Sequence, residues 1–175
     1  ANDDELWTSD GTVGGTTLLY ETDSYLGQFT TVNDTLFFTN SDASNGRELW
    51  NSDGTSSGTA LVKDITPGTS DSDLRAFAKS GDELLFWRGT STTSELWKSD
   101  GTSSGTAVVK VLANQSSKYI QNAVDVDGTL FFSFDDGTNG RELWKSDGTD
   151  SGTVQVKDIT PGGYTYFGYN DFVAS

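Results

Sequence analysis

The chain has 175 residues, 33% of them hydrophobic, with a formal charge of −15 and a pI near 4.1. That length suffices for one domain with its own core or for a short repeat array, and so acidic a surface repels nucleic-acid phosphates and anionic lipid, excluding nucleic acid as a partner. With no His, Cys or Met, the chain has no Ser-His-Asp or Cys-His catalytic system, no ordinary zinc site and no disulfide.

The missing initiator Met reads as a processed chain or an excised fragment. No signal peptide stands in it. No apolar run approaches the roughly 20 residues of a membrane-spanning helix, so membrane insertion is not expected.

In chain order, ANDD (Ala1 to Asp4) reads as the tail of a loop. ELWTS from Glu5 and TTLLYE from Thr16 follow as two strands joined by an Asp-Gly turn. Three complete units come next, each of four short strands a, b, c and d separated by Gly-rich turns. FTTV, TLFF, RELW and ALVKDI run from Phe29 to Ile65. LRAF, LLFW, SELW and AVVKV run from Leu74 to Val111. AVDV, TLFFSF, RELWKS and VQVKDI run from Ala123 to Ile159, with Asp127-Gly128 and Asp147-Gly148 as tight turns. The terminal YNDFVAS aligns with LRAFAKS and so reads as another strand a. No stretch has a helical period with caps.

The tripeptide ELW begins at residues 5, 48, 95 and 142, spacings of 43, 47 and 47. That is the period of propeller blades. The b strands are continuously apolar rather than alternating, which suits strands covered on both faces. ELW is then strand c, with Trp7, Trp50, Trp97 and Trp144 between blades. The SDGT that follows makes the turn into strand d. There Gly takes positive φ, while Asp10, Asp53, Asp100 and Asp147 accept bonds from nearby backbone N–H groups.

The predicted fold is all-β: a single domain over 1–175, a β-propeller of about four blades. The blades fall near 26–67, 73–113 and 120–161, with the last split between 164–175 and 1–23. The split blade lacks a strand b. Either a four-bladed ring closes with a three-stranded last blade, the favoured reading, or the chain is a window on a longer array whose neighbour supplies the strand. In both, the seam is a candidate assembly site, because an open strand edge invites pairing.

The repeat ELWxSDGTxxGTxxVKDIxPG resembles the ELWxxDGT repeat of large secreted or surface-exposed bacterial proteins. The resemblance covers nearly the whole chain. It departs where VKVLANQ (Val109 to Gln115) and LLYET (Leu18 to Thr22) replace the VKDITPG pattern. It implies a β-propeller-like array in an extracellular or cell-surface setting, and no defined activity. The strand pattern is also similar to quinoprotein and kelch-type blades, an analogy of fold alone.

The leading functional expectation is a non-catalytic module with a structural, assembly or adhesion role through protein contacts, including self-assembly or flanking repeats at the seam. A carbohydrate-binding module is the alternative, and a glycan-active enzyme using paired carboxylates is a more distant third. Sugar binding needs exposed aromatics beside polar groups. The candidates are aromatics that break the repeat: Trp87, where Thr39 and Ser133 stand in other units, and Tyr164, Tyr166 and Tyr169 in GGYTYFGY. Arg47 and Arg141, at equivalent positions beside ELW, are expected in salt bridges. No cofactor is expected. Asp42, Asp135, Asp136 and the DVDG turn leave room for at most a weak calcium site, lacking the ligand set of an EF-hand loop.

Overall fold

The computed structural model describes residues 4–22, 24–115, 120–161 and 163. These residues form fourteen strands and no helix, in four antiparallel sheets. The first sheet is the hairpin β1 (Asp4–Thr8) and β2 (Thr17–Thr22). The second runs β3 (Gly27–Val32), β4 (Thr35–Asp42), β5 (Gly46–Ser52) and β6 (Ala60–Lys63). The third runs β7 (Leu74–Ser80), β8 (Glu83–Gly89), β9 (Ser94–Ser99) and β10 (Ala107–Ala113). The fourth runs β11 (Gln121–Val126), β12 (Thr129–Asp135), β13 (Arg141–Ser146) and β14 (Val154–Lys157). Each complete unit is therefore one meander, its strands neighbouring in chain order. The final strand a expected near the C-terminus lies outside the described residues.

The sheets stack face to face, and the cores lie between them. Leu6 meets Phe38 and Trp50 at the first joint. Phe37, Leu49, Val62 and Ile65 meet Leu74, Leu84 and Phe86 at the second. Leu85, Leu96, Val109 and Leu112 meet Leu130, Phe132 and Trp144 at the third. Adjacent strand residues point to opposite faces, so Phe37 and Phe38, like Leu49 and Trp50, serve different joints. This is why strand b is apolar without interruption. The first strands of successive sheets adjoin, β3 with β7 and β7 with β11. Each carries the same irregularity, with Gln28, Ala76 and Asn122 at φ of 55°, 52° and 52° where the pairing register slips. Among the described residues no hydrophobic cluster joins the β1–β2 hairpin to the fourth sheet, and ring closure is not seen.

The eight residues SDGTxxGT explain themselves as one hydrogen-bond circuit. In the second sheet, Asp53 Oδ1 accepts from the Thr55 backbone N–H at 2.9 Å and from its hydroxyl at 2.7 Å. Thr55 Oγ1 in turn accepts from the Gly58 N–H at 3.0 Å. Ser52 and Thr59 share a bond of 2.7 Å between hydroxyls, and Thr59 donates to the Thr55 carbonyl at 2.8 Å. The circuit recurs around Asp10, Asp100 and Asp147. Two glycines are required for different reasons. Gly54 stands at φ 86°, a conformation that penalises a Cβ. A Cβ on Gly58 would lie 2.0 Å from Asp53 Oδ1.

The Glu of ELW has two uses, and the neighbouring sequence decides between them. Where KDITPG follows, the carboxylate caps the exit of the last strand: Glu48 accepts from Ile65 N–H at 2.8 Å, from Thr66 N–H at 3.4 Å and from the Ser72 hydroxyl. Glu142 accepts from Ile159 N–H at 2.9 Å and from Thr160 N–H at 3.4 Å. Where KDITPG is replaced, the Glu accepts from the indole N–H two residues on, as Glu95 does from Trp97 and Glu5 from Trp7, each at 2.8 Å. Glu95 also pairs with Arg88 at 3.3 Å.

Two predictions follow from these bonds. Gly58→Ala displaces the Asp53 carboxylate from its place in the turn and should lower the midpoint of chemical denaturation. Gly14→Ala, with nothing within 4 Å of its Cβ, should leave stability nearly unchanged.

The pH profile of stability should be bell-shaped. Hydrogen bonds, chiefly from the Thr hydroxyls, hold Asp10, Asp53, Asp100 and Asp147 below the ordinary value of 3.8. Their contribution is complete above 3.8 and is lost as pH falls through their lowered values. Burial raises Glu48 above its ordinary 4.5, so its effect has the opposite sign. Stability is gained as pH falls through the raised value and is complete below 4.5. Melting temperature should rise on acidification from neutrality and collapse below 3.8. Asp53→Asn, which cannot ionise, should make the acid limb shallower.

Candidate functional site

A groove on the described surface gathers charge of both signs and an aromatic face. It has a volume of about 380 Å³ and is lined by Tyr25, Gln28, Arg47, Asp71, Asp73 and Arg75, among others. It lies between the start of β3, the start of β5 and the loop from β6 to β7. Gly46 brings these segments together: its φ is 66°, and a Cβ there would meet the Ser70 carbonyl oxygen at 2.7 Å. The next residue is stitched to the loop through its backbone. Arg47 N–H donates to Asp71 Oδ1 at 2.8 Å, and its carbonyl accepts from Ser72 N–H at 2.9 Å.

With its main chain so fixed, Arg47 lays its guanidinium over the Tyr25 ring, 5.5 Å from the centroid. Tyr25 is 64% exposed. Arg75 Nε pairs with Asp73 Oδ1 at 2.8 Å. Both partners are well exposed, so this pair orients side chains more than it stabilises them. The result is an accessible aromatic face backed by a cation, flanked by carboxylate and guanidinium groups. Such a surface stacks on a polar ring or on a partner's side chains and offers hydrogen bonds of both polarities.

The candidates chosen for breaking the repeat fare otherwise. Trp87, expected to offer a stacking face, is 3% exposed and sits in the joint between the third and fourth sheets with Leu112, Ala113 and Ile120. The reason is local: two residues on along the same face of β8, Gly89 leaves the room that the indole fills, and a Cβ there would lie 2.3 Å from Trp87 Cη2. Tyr164, Tyr166 and Tyr169 lie outside the described residues.

The repeat tryptophans are not equivalent. Trp50 and Trp144 are 7% and 8% exposed, Trp97 is half-buried, and Trp7 is 51% exposed. The arginines differ also. Arg47 lies over Tyr25, whereas Arg141 donates to the Ser133 carbonyl at 3.2 Å.

The loop acids hold their own turns. Asp42 accepts from Ser44 and Asn45 N–H, and Asp136 from Thr138 and Asn139 N–H. Asp127 and Gly128, at φ of 50° and 81°, make the hairpin turn of DVDG. Among the described residues, no three His, Cys, Asp or Glu side chains come together as a metal site requires. Among the described residues no helix is long and apolar enough to cross a membrane.

The sequence matches no family model and no curated protein. Solved structures do resemble it. A structure from a study of two prolyl endopeptidases superposes with a TM-score of 0.59 at 12% identity, covering 86% of this chain and 22% of that one. A puromycin hydrolase superposes with a TM-score of 0.60 at 16% identity, covering 94% of this chain and 25% of that one. Both are propeller-containing peptidases, and the chain spans about a quarter of either. At this identity the likeness shows the fold alone: an all-β stack resembling their propeller domains.

Trp87→Ala should cost about 3–5 kcal/mol, as emptying a packed site does. The buried indole N–H meets no acceptor among the described residues, so Trp87→Phe, which removes an orphaned donor, should cost far less. Denaturant midpoints of the two variants check this.

Proposed function

We propose that the chain is a non-catalytic, extracellular or surface-exposed β-propeller module with a structural, assembly or adhesion role exerted through protein contacts. One observation carries the reading. The repeated residues are consumed by the framework: the Glu of ELW caps strand exits or holds an indole, and SDGTxxGT closes on itself. Among the described residues, the framework leaves apolar sheet face and the Tyr25 groove outward. The neighbouring peptidases join a propeller-like region to other parts of a chain about four times as long, and their peptidase activity belongs to those whole proteins.

A second reading, carbohydrate binding, is favoured by the groove itself, where Tyr25, Arg47 and Asp73 present a ring face with donors and acceptors beside it. A glycan array probed with the chain and with Tyr25→Ala separates the two. Saturable binding to a defined glycan that the variant loses, its melting temperature unchanged, would make the module a lectin. The expected outcome is no saturable glycan binding and no turnover of glycan or peptide substrates.

A further inference from the structure

The two joints between complete sheets are built to one plan, and counterparts of residues from its two sides stand uncovered at the ends of the stack. On the forward side, strand d contributes Val62 or Val109, 7% and 9% exposed, and Ile65 or Leu112, 9% and 7% exposed. Their counterparts on the fourth sheet, Val156 and Ile159, are 45% and 47% exposed. Phe131 and Leu143, counterparts of the fully covered Leu85 and Leu96, are only half-buried. On the receiving side, Trp7 is the counterpart of the buried Trp50 and Trp144 and the half-buried Trp97, and is itself 51% exposed.

A polar contact fixes the register of two joints. Lys63 reaches forward from β6 into the SDGTxxGT turn of the third sheet, donating to the Ser103 carbonyl at 3.2 Å and the Thr106 carbonyl at 2.6 Å. Lys110 does the same into the turn of the fourth sheet, donating to the Asp150 carbonyl at 2.9 Å and pairing with its carboxylate at 3.2 Å. The next lysine in the series, Lys157, is exposed and has no partner among the described residues. The turn that would receive it is Thr12 to Thr16, where Val13 stands in the place of Ser103 and is 97% exposed.

We propose that a second copy of the chain covers these faces. The fourth sheet of one molecule stacks on the β1–β2 hairpin of the next, Val156, Ile159, Phe131 and Leu143 against Trp7, with Lys157 donating to backbone carbonyls between Thr12 and Thr16. The contact continues the joint made twice between the complete sheets of the chain. It is head-to-tail, so it propagates into rings or filaments instead of stopping at a dimer. Because each copy carries a charge of −15, association strengthens as salt screens the repulsion. The inference deepens the protein-contact reading by naming the partner and the surface.

Sedimentation of the chain over about two decades of concentration tests it. The expected result is concentration-dependent growth that increases with ionic strength. Lys157→Glu and Val156→Asp on one face, and Trp7→Asp on the other, change residues exposed in the single chain, so melting temperature should hold. Each should weaken association about tenfold or more. The decisive experiment mixes Val156→Asp with Trp7→Asp protein: every molecule then keeps one intact face, and the mixture should form heterodimers that neither variant forms alone. A wild-type chain that stays monomeric at all concentrations, with the two faces closed on each other within one molecule, overturns the proposal, as does failure of the two variants to pair. A monomer that still binds other proteins would leave the protein-contact reading standing. Glycan binding lost in Tyr25→Ala would overturn that reading without touching self-association.

Discussion

Everything in this molecule depends on the burial of sheet faces between sheets. A four-stranded meander with Phe and Leu on one face and Phe and Trp on the other cannot stand alone in water. Each fully covered side chain of that size contributes about 1.5–3 kcal/mol relative to exposure. A neighbouring sheet over at least one face is therefore a condition of folding. That demand explains the uninterrupted apolar b strands and the opposite assignments of Leu49 and Trp50.

Stacked apolar faces set no register by themselves, and the polar parts of the repeat supply it. The SDGTxxGT circuit gives every outer hairpin the same shape, so Lys63 and Lys110 find carbonyls at the same place on the following sheet. The ELW glutamate ties the exit of one sheet to the entry of the next: Glu48 holds Ile65 and Thr66 on the way out and Ser72 on the way in. Where the exit sequence changes, Arg88 takes over part of that task. It pairs with Glu95, lies over Trp97 and donates back to Thr66 of the preceding unit. The unit with a lost cap is thus rewired, and Arg88 stands where the other b strands have Asn40 or Phe134.

Variation between the units falls into two kinds. Some differences compensate one another within the core, as Trp87 and Gly89 do, and leave the surface unchanged. Others open the surface, as at Tyr25, where a half-buried arginine supports an exposed ring. A residue's departure from the repeat therefore says that its surroundings differ, and only its neighbours in space say whether the change faces a sheet or solvent.

The sequence by itself determined the repeating unit, its four strands, their order and the chemistry of its turns. All of these rest on short-range rules: period-two side-chain alternation, the need for glycine at positive φ, and hydrogen bonds between residues two to seven apart, as in the circuit from Ser52 to Thr59. It also pointed to the tryptophans of ELW as sheet-stacking residues, though not to which of them would be covered, since Trp50 and Trp7 share one motif and differ in neighbours. Only the tertiary structure decided the rest. The groove joins Tyr25, Arg47 and Asp71, residues brought together by the close approach at Gly46. The burial of Trp87 depends on a space made by Gly89 and walls supplied by a sheet from the next unit. Long-range packing is a sum over partners that local pattern does not name, which is why the framework was legible in the chain and its exposed surfaces were not.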